Sequence, residues 1–462
     1  MQRNNQYFNK NKQARLVSSF IILISITLSL TLIFFTFIEV IFFLNFSNPS
    51  LSKKSSALHF SSQILYDQYD RNIIQYLPEC SKYDPDLFYV LKTGTCTFTN
   101  REFSNTYIIN SIGVRDDEKS LKEPEIIVVG DSFAMGWGVE QEKTFSSIIE
   151  KELNTNVLNA AVSSYGTARE LEILKRVDTS NLKYLIIQYC LNDLDENKSY
   201  IDNNYKLKIS SIDKYKKTID DHLNRKQYSP FIYSYEHFKN LYPAFKYLND
   251  WKEERFQKSK QEHDLEAKIF LNVLNSFEIT KDVQIILFEN EYRLENDWFL
   301  ISVRNLLKDE EYKNLNIIFV STSDLNPSNY YILDSHLTEK GHKNLSKKLL
   351  RAINTGKSDV LYEDIANSLS ANFIIEDYEP KEIEIGSSFN IQEDGSSAIW
   401  FKSSNLSKYS EIFINDIPLK TYIDNNIATA IIPENFLLKK AKHNLYIKNL
   451  NSISNSVILE IK

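Results

Sequence analysis

Four short patches hold the side chains that could do chemistry: Gly130-Asp131-Ser132, the run 159–166 (Asn-Ala-Ala-Val-Ser-Ser-Tyr-Gly), Asn192-Asp193, and Asp334-Ser335-His336. Together they supply a hydroxyl nucleophile, two candidate oxyanion donors, an imidazole base and a carboxylate, the set that acyl transfer from a serine requires. A serine hydroxyl is a poor nucleophile at its own pKa, so Ser132 needs a base within hydrogen-bond reach and a third group to fix that base's tautomer. His336 and Asp334 fill these roles. Alternate residues of an extended loop point the same way, so the order Asp-x-His is expected to put both side chains on one face. Asp193 is assigned to a turn or helix start, and His342, which leads into Leu345, Leu349 and Leu350, to packing.

Each patch falls where a strand should end and a loop begin, the place where an open α/β sheet carries its chemistry. The β-branched run 126–129 stops at Gly130, which sets Ser132 at a strand-to-helix junction. Downstream come a helix carrying Phe145, Ile148 and Leu153, a strand at 157–158, a helix over 169–176 and strands at 184–189, 283–288 and 316–320. This alternation predicts an α/β domain with a parallel sheet and right-handed crossovers.

On these patches, and on their order, the chain resembles the SGNH/GDSL hydrolase family of esterases, lipases and carbohydrate O-acyl hydrolases, over about half its length. The resemblance implies a three-layer sandwich with a central parallel sheet, flavodoxin-like. It implies a nucleophilic Ser132 whose own N–H joins the oxyanion hole, a side-chain N–H donated by Asn192, a base at His336 and a carboxylate at Asp334. Ser164 stands where the family carries a glycine that gives its backbone N–H to the oxyanion hole, and Cys190 replaces a second glycine. Only the N–H is required of Ser164, so a serine serves if its φ and ψ permit. No metal or cofactor is called for.

The composition is that of globular material, with 42% hydrophobic and 25% charged residues in 462. A net charge of -7 argues against a nucleic-acid surface, which needs a basic stripe. Lys214-Tyr215-Lys216-Lys217 is read as a solvated helix face. The 23 residues 16–38 carry no charge. As a helix such a run is about 35 Å long, enough to cross a hydrocarbon core of about 30 Å. Arg3, Lys10, Lys12 and Arg15 precede it, so the positive-inside bias keeps the N-terminus cytoplasmic and puts the rest outside. The segment is too long for a cleaved signal peptide and lacks a small-residue cleavage site, which favours an uncleaved anchor. Glu39 is placed at the outer boundary; deep in the bilayer it would call for a helix partner. Of three cysteines, Cys80 and Cys96 are spaced for a disulfide compatible with an oxidising compartment.

The expected organisation is a cytoplasmic tail 1–15, an anchor 16–46, a lead-in segment 47–123, a catalytic domain 124–355 with a helical, aromatic-rich insertion about 195–280, and a C-terminal immunoglobulin-like β-sandwich 356–462. Arg115 is expected to pair locally with Asp116 or Asp117. Rings in the insertion, Tyr228, Phe231, Tyr233, Tyr235, Phe238, Tyr242, Phe245, Tyr247 and Trp251, are read as packing a helical subdomain, with a lid or acceptor groove as the alternative. Trp400 is assigned to core. The whole reads as a membrane-anchored, extracytoplasmic serine esterase on acyl, above all acetyl, groups of an envelope glycan or a small ester. The alternatives are an O-acyltransferase with the same triad, or an idle scaffold that binds glycan. The C-terminal domain is read as a carbohydrate-binding module, a docking domain for an envelope-assembly partner, or a spacer.

Overall fold

The computed structural model describes residues 2–53, 55–225, 229–240, 260–290, 296–359, 362–363, 366–367, 373–392, 395–407, 410–449 and 452–462. Tyr228, Tyr242, Phe245, Tyr247 and Trp251 lie outside the described residues.

The chain opens with one helix, Gln2–Ser47 (α1), whose stretch Val17–Ser47 is long and apolar enough to cross a membrane and leaves its most apolar window entirely unburied. Ser56–Leu65 (α2) follows, then two antiparallel hairpins: Ser81–Asp84 (β1) with Phe88–Leu91 (β2), and Gly94–Asn100 (β3) with Phe103–Ile109 (β4). Cys80 and Cys96 are bonded, Cα atoms 5.3 Å apart, so the residue before β1 is tied to β3. Closing a loop of this size contributes about 3 kcal/mol in the chain-entropy model. Alkylation of the unfolded, unreduced chain should therefore label Cys190 alone; labelling of all three cysteines would show the bond absent.

The central sheet is Ile126–Val129 (β5), Val157–Asn159 (β6), Tyr184–Tyr189 (β7), Gln284–Glu289 (β8) and Asn316–Val320 (β9), all parallel, in the order β6-β5-β7-β8-β9. Along β5 every side chain is buried, because helices cover both faces: Ile127 and Val129 face one core and Ile126 and Val128 the other. Between the strands run Ser132–Met135 (α3), Phe145–Leu153 (α4), Thr167–Glu172 (α5), Asp193–Asp202 (α6), Ile212–Asn224 (α7), a helix over 232–240 (α8), Lys260–Asn275 (α9), Trp298–Leu306 (α10) and Glu339–Thr355 (α11). Helices α5, α9 and α10 pack on the first face, α4 and α11 on the second. The one Phe of α9 thus belongs to the sheet's own core, Phe270 lying against Tyr189 and Phe299. Helix α11 starts where the Thr338 hydroxyl accepts from Gly341 N–H and stops at Gly356, whose φ of 62° suits glycine.

C-terminal to Gly356, Ile375–Glu379, Ser397–Ser403, Ile427–Ile432 and Thr421–Asp424 form a four-stranded sheet, and Glu382–Ile383, Val457–Ile461, Ala441–Lys448, Glu411–Ile414 and Ile417–Pro418 a five-stranded one. The two share one core, with Ile399, Phe401 and Ala428 from the first beside Ile412, Leu445, Ile447 and Leu459 from the second. Three of these strands were not anticipated, 375–379, 417–418 and 421–424; each is at a sheet edge and largely exposed, the first and last mostly polar and the second only Ile-Pro, so none shows the hydrophobic alternation that marks a strand. Trp400 is half-buried.

Candidate active site

Ser132 is delivered by the turn after β5. Gly130 permits that turn: a Cβ there would lie 2.6 Å from both Ala134 Cβ and Gln188 Oε1, so any other residue would push the α3 helix off the strand. Asp131 caps α3, accepting from Phe133 N–H at 2.9 Å, while its own N–H donates to Gln188 Oε1 at 2.9 Å. The Ser132 side chain is thereby fixed in a buried position at the carboxyl end of the sheet.

The structure brings Ser132, His336 and Asp334 together. Ser132 Oγ lies 2.7 Å from His336 Nε2, and His336 Nδ1 lies 2.5 Å from Asp334 Oδ1. The imidazole is held between rings, parallel to Trp137 at 4.8 Å and tilted on Phe133 at 4.6 Å.

The expected extended Asp-x-His strand is not how this is achieved. Ser335 has a φ of 65°, so the loop doubles back, and the Tyr331 N–H closes it on the His336 carbonyl at 2.8 Å. The cause is Glu102 at the tip of the β3–β4 hairpin, whose carboxylate accepts from the N–H groups of Ile332, Leu333 and Asp334 at 2.8, 2.7 and 2.9 Å. Three consecutive donors converging on one carboxylate curl the backbone, and the curl puts Asp334 behind His336.

The second oxygen of Asp334 is satisfied by three residues that sequence reasoning missed, all from the lead-in segment. The Tyr66 hydroxyl donates to Oδ2, Asn100 Nδ2 does so at 3.4 Å, and Arg71 Nε lies 4.0 Å away. Burial alone would raise the Asp334 pKa, but Arg71, His336 and the Tyr66 hydroxyl outweigh it and hold the carboxyl at about 2, ionised beside the imidazole. Nothing in the sequence flags Tyr66, Arg71, Asn100 or Glu102, which reach the loop of Asp334 and His336 from more than two hundred residues upstream.

Ser164 has a left-handed φ of 58°, which glycine adopts most readily, and Gln75 Nε2 donates to its hydroxyl at 3.0 Å, anchoring a serine in that conformation. Asn192 is exposed at the start of α6 and does not use its side chain to cap that helix. Cys190, nearly buried, hydrogen-bonds through its thiol to Asp131. Arg115 is structural, but its partners are not Asp116 or Asp117: the buried guanidinium donates to the carbonyls of Met135, Gly136 and Val139 and lies over the Tyr107 ring at 3.6 Å. Having lost water, it satisfies itself on the loop that carries Trp137. His342 is buried on Phe145, and burial keeps it neutral, with a pKa of about 3.

Behind Ser132 sit buried carboxyls. Asp193 accepts from the Thr167 hydroxyl at 2.9 Å, and both Glu170 oxygens lack a hydrogen-bond partner among the described residues. Burial raises both, as it raises Asp131 and lifts Asp116, packed against the Asn159 N–H, to about 7. A carboxyl raised in the folded state binds more protons there than in the unfolded chain, so it costs stability as pH rises from about 4 to about 7, about 4 kcal/mol for Asp116. Asp334 acts oppositely, with about 2 kcal/mol present above its unfolded pKa and lost as pH falls through about 2. Thermal unfolding of the full chain in detergent should therefore give a higher Tm at pH 5 than at pH 8 and a fall below pH 4; a Tm that rises from pH 5 to pH 8 contradicts this.

No family model matches the chain, and no curated protein matches it. Among the solved structures with which it aligns is that of a protein provisionally assigned to the G-D-S-L family of lipolytic proteins, from Desulfitobacterium hafniense DCB-2, with 11% identity, 49% of this chain and 97% of that one covered, and a TM-score of 0.25. At that distance the chemistry rests on the residues of the site.

Proposed function

We propose that the chain is a membrane-anchored, extracytoplasmic serine hydrolase of SGNH/GDSL type that cleaves ester bonds, with O-acyl groups of an envelope glycan as the favoured substrate. The observation that carries this reading is the unbroken chain of contacts from Ser132 Oγ through His336 to Asp334.

In this reading His336, protonated at Nδ1 and hydrogen-bonded there to Asp334, takes the Ser132 proton at Nε2 as Oγ attacks the ester carbonyl. The oxyanion is met by the N–H groups of Ser132 and Ser164 and the Asn192 carboxamide. Collapse breaks the C–O bond and the alcohol leaves with the proton from His336. Water, deprotonated by the same imidazole, then releases the acid and restores Ser132.

The test is turnover of p-nitrophenyl acetate by the full chain in detergent micelles, with Ser132→Ala as control. Wild-type hydrolysis should exceed that of the variant by about 10³-fold or more. Equal rates for the two would sink the hydrolase reading.

A further inference from the structure

Helix α8 is inside out. Its buried face carries Ser234, Glu236, His237 and Asn240, whereas Tyr235 and Phe238 are 64% and 52% exposed, with Phe231 just before it 37% exposed. A surface helix in water has the opposite arrangement. The buried polar groups are accounted for. Glu236 accepts from Tyr69 at 3.0 Å and from Asn240 at 3.3 Å, and His237 Nδ1 faces the Tyr233 carbonyl at 2.8 Å.

This helix lies against the outer end of α1. The Glu39 carboxylate accepts from the N–H groups of Tyr233 and Ser234, at 3.2 and 2.7 Å, and from the Ser234 hydroxyl. Phe42 stacks on His237 at 4.4 Å and meets Phe238 edge-on at 5.4 Å, and Phe43 and Phe46 flank Tyr233 at 5.3 and 5.7 Å. The expected carboxylate at the membrane boundary therefore does have a helix partner. About twenty residues span a hydrocarbon core, so a span entered at Val17 leaves it near Thr36. Glu39 and Phe42 then stand about 5 and 9 Å beyond the core, in or just above a headgroup layer of about 5 to 8 Å.

We propose that the outward face of α8 lies in the lipid headgroup layer, with Phe231, Tyr235 and Phe238 against the bilayer, Glu39 as the clamp and Lys239, paired with Glu236 at 3.3 Å, at the polar edge of that face. The argument is continuity: these rings extend an apolar surface that already belongs to the span, and aromatic rings beside a cation suit that layer. Phe46, one turn above Phe42, shares a buried cluster with Leu333 and Tyr66, and Tyr66 donates to Asp334. The seat thus fixes the height of Ser132 above the membrane and selects esters presented at its surface. It rests on the anchor reading of α1.

The test places a benzoyl-phenylalanine photocrosslinker at position 235 or 238 of the full chain, reconstituted in vesicles of phosphatidylcholine with phosphatidylglycerol. Position 34, exposed on α1, is the control for the span, and position 422, exposed in the C-terminal sheets, the control for water. Lipid adducts are expected at 34, 235 and 238 and not at 422, and Glu39→Ala should cut the yield at 235 and 238 severalfold while leaving 34 unchanged. Adducts at 34 alone would overturn the seat and leave the anchor standing. Protein adducts in place of lipid at 235 and 238 would assign the face to a partner chain and also overturn it. No lipid adduct at any position would remove the anchor, and the seat with it.

Discussion

Asp334→Asn should lower kcat for p-nitrophenyl acetate by about 10⁴-fold, the loss expected when the imidazole of a triad is held in the wrong tautomer. The surroundings decide which way the new amide turns. Tyr66, Asn100 and Arg71 all present donors to the Oδ2 position, so the amide oxygen must face them and the NH₂ must face His336. His336 Nδ1 then accepts instead of donating, its proton moves to Nε2, and Nε2 cannot take the proton of Ser132. The side chain keeps its size, so KM should change little, while Tm at pH 7 should fall, because the buried charge that contributes about 2 kcal/mol there is gone. A loss of less than tenfold in kcat would show that Asp334 does not set the tautomer.

Glu102→Ala should lower kcat by about 10²-fold, the effect of misplacing a catalytic group by about 1 Å. Glu102 touches no reacting atom; it is a positioning residue that gathers the N–H groups of three successive loop residues. Without it those donors lose their acceptors, at about 1–3 kcal/mol for each that stays buried, and the loop relaxes toward the extended form in which Asp334 no longer backs His336. Its effect should fall on kcat with KM preserved, and Glu102→Gln, which keeps one acceptor oxygen, should recover part of the rate. If instead kcat holds and only Tm falls, the hairpin tip serves stability alone.

These predictions divide along the line between what local sequence dictates and what tertiary contact adds. Strands 126–129, 184–189 and 316–320 were legible residue for residue, because short runs rich in β-branched and aromatic residues have few alternatives in an α/β chain. The patches at their ends were legible for the same reason: chemistry placed after a strand needs only the strand to be found. Tyr66, Arg71, Asn100 and Glu102 were not, since each acts through a contact across more than two hundred residues, and an Arg-Glu pair at a hairpin tip is an ordinary turn sequence. The curl at Ser335 was missed because it is imposed by Glu102 and not by the loop's own residues. Glu39 was read as a carboxylate at the outer boundary, with a helix partner called for only at depth; the fold gives it one regardless, at the start of α8.

Arg101 and Glu102 also explain why the lead-in segment is part of the site and more than a spacer. Glu102 holds the loop of Asp334 and His336, while Arg101 pairs with Asp70 at 2.8 Å and lies over the Phe46 ring at 4.1 Å, so a single hairpin tip joins the end of α1 to that loop. Activity is therefore measured most faithfully on the full chain.

The most direct test of the central claim is covalent. The full chain in detergent, treated with a fluorophosphonate and mapped by peptide mass spectrometry, should carry the phosphonyl adduct on Ser132, and His336→Ala should abolish the labelling while the fold is retained. A wild-type chain that stays unlabelled, or that labels elsewhere with Ser132 unmodified, would contradict the assignment of Ser132 as an activated nucleophile.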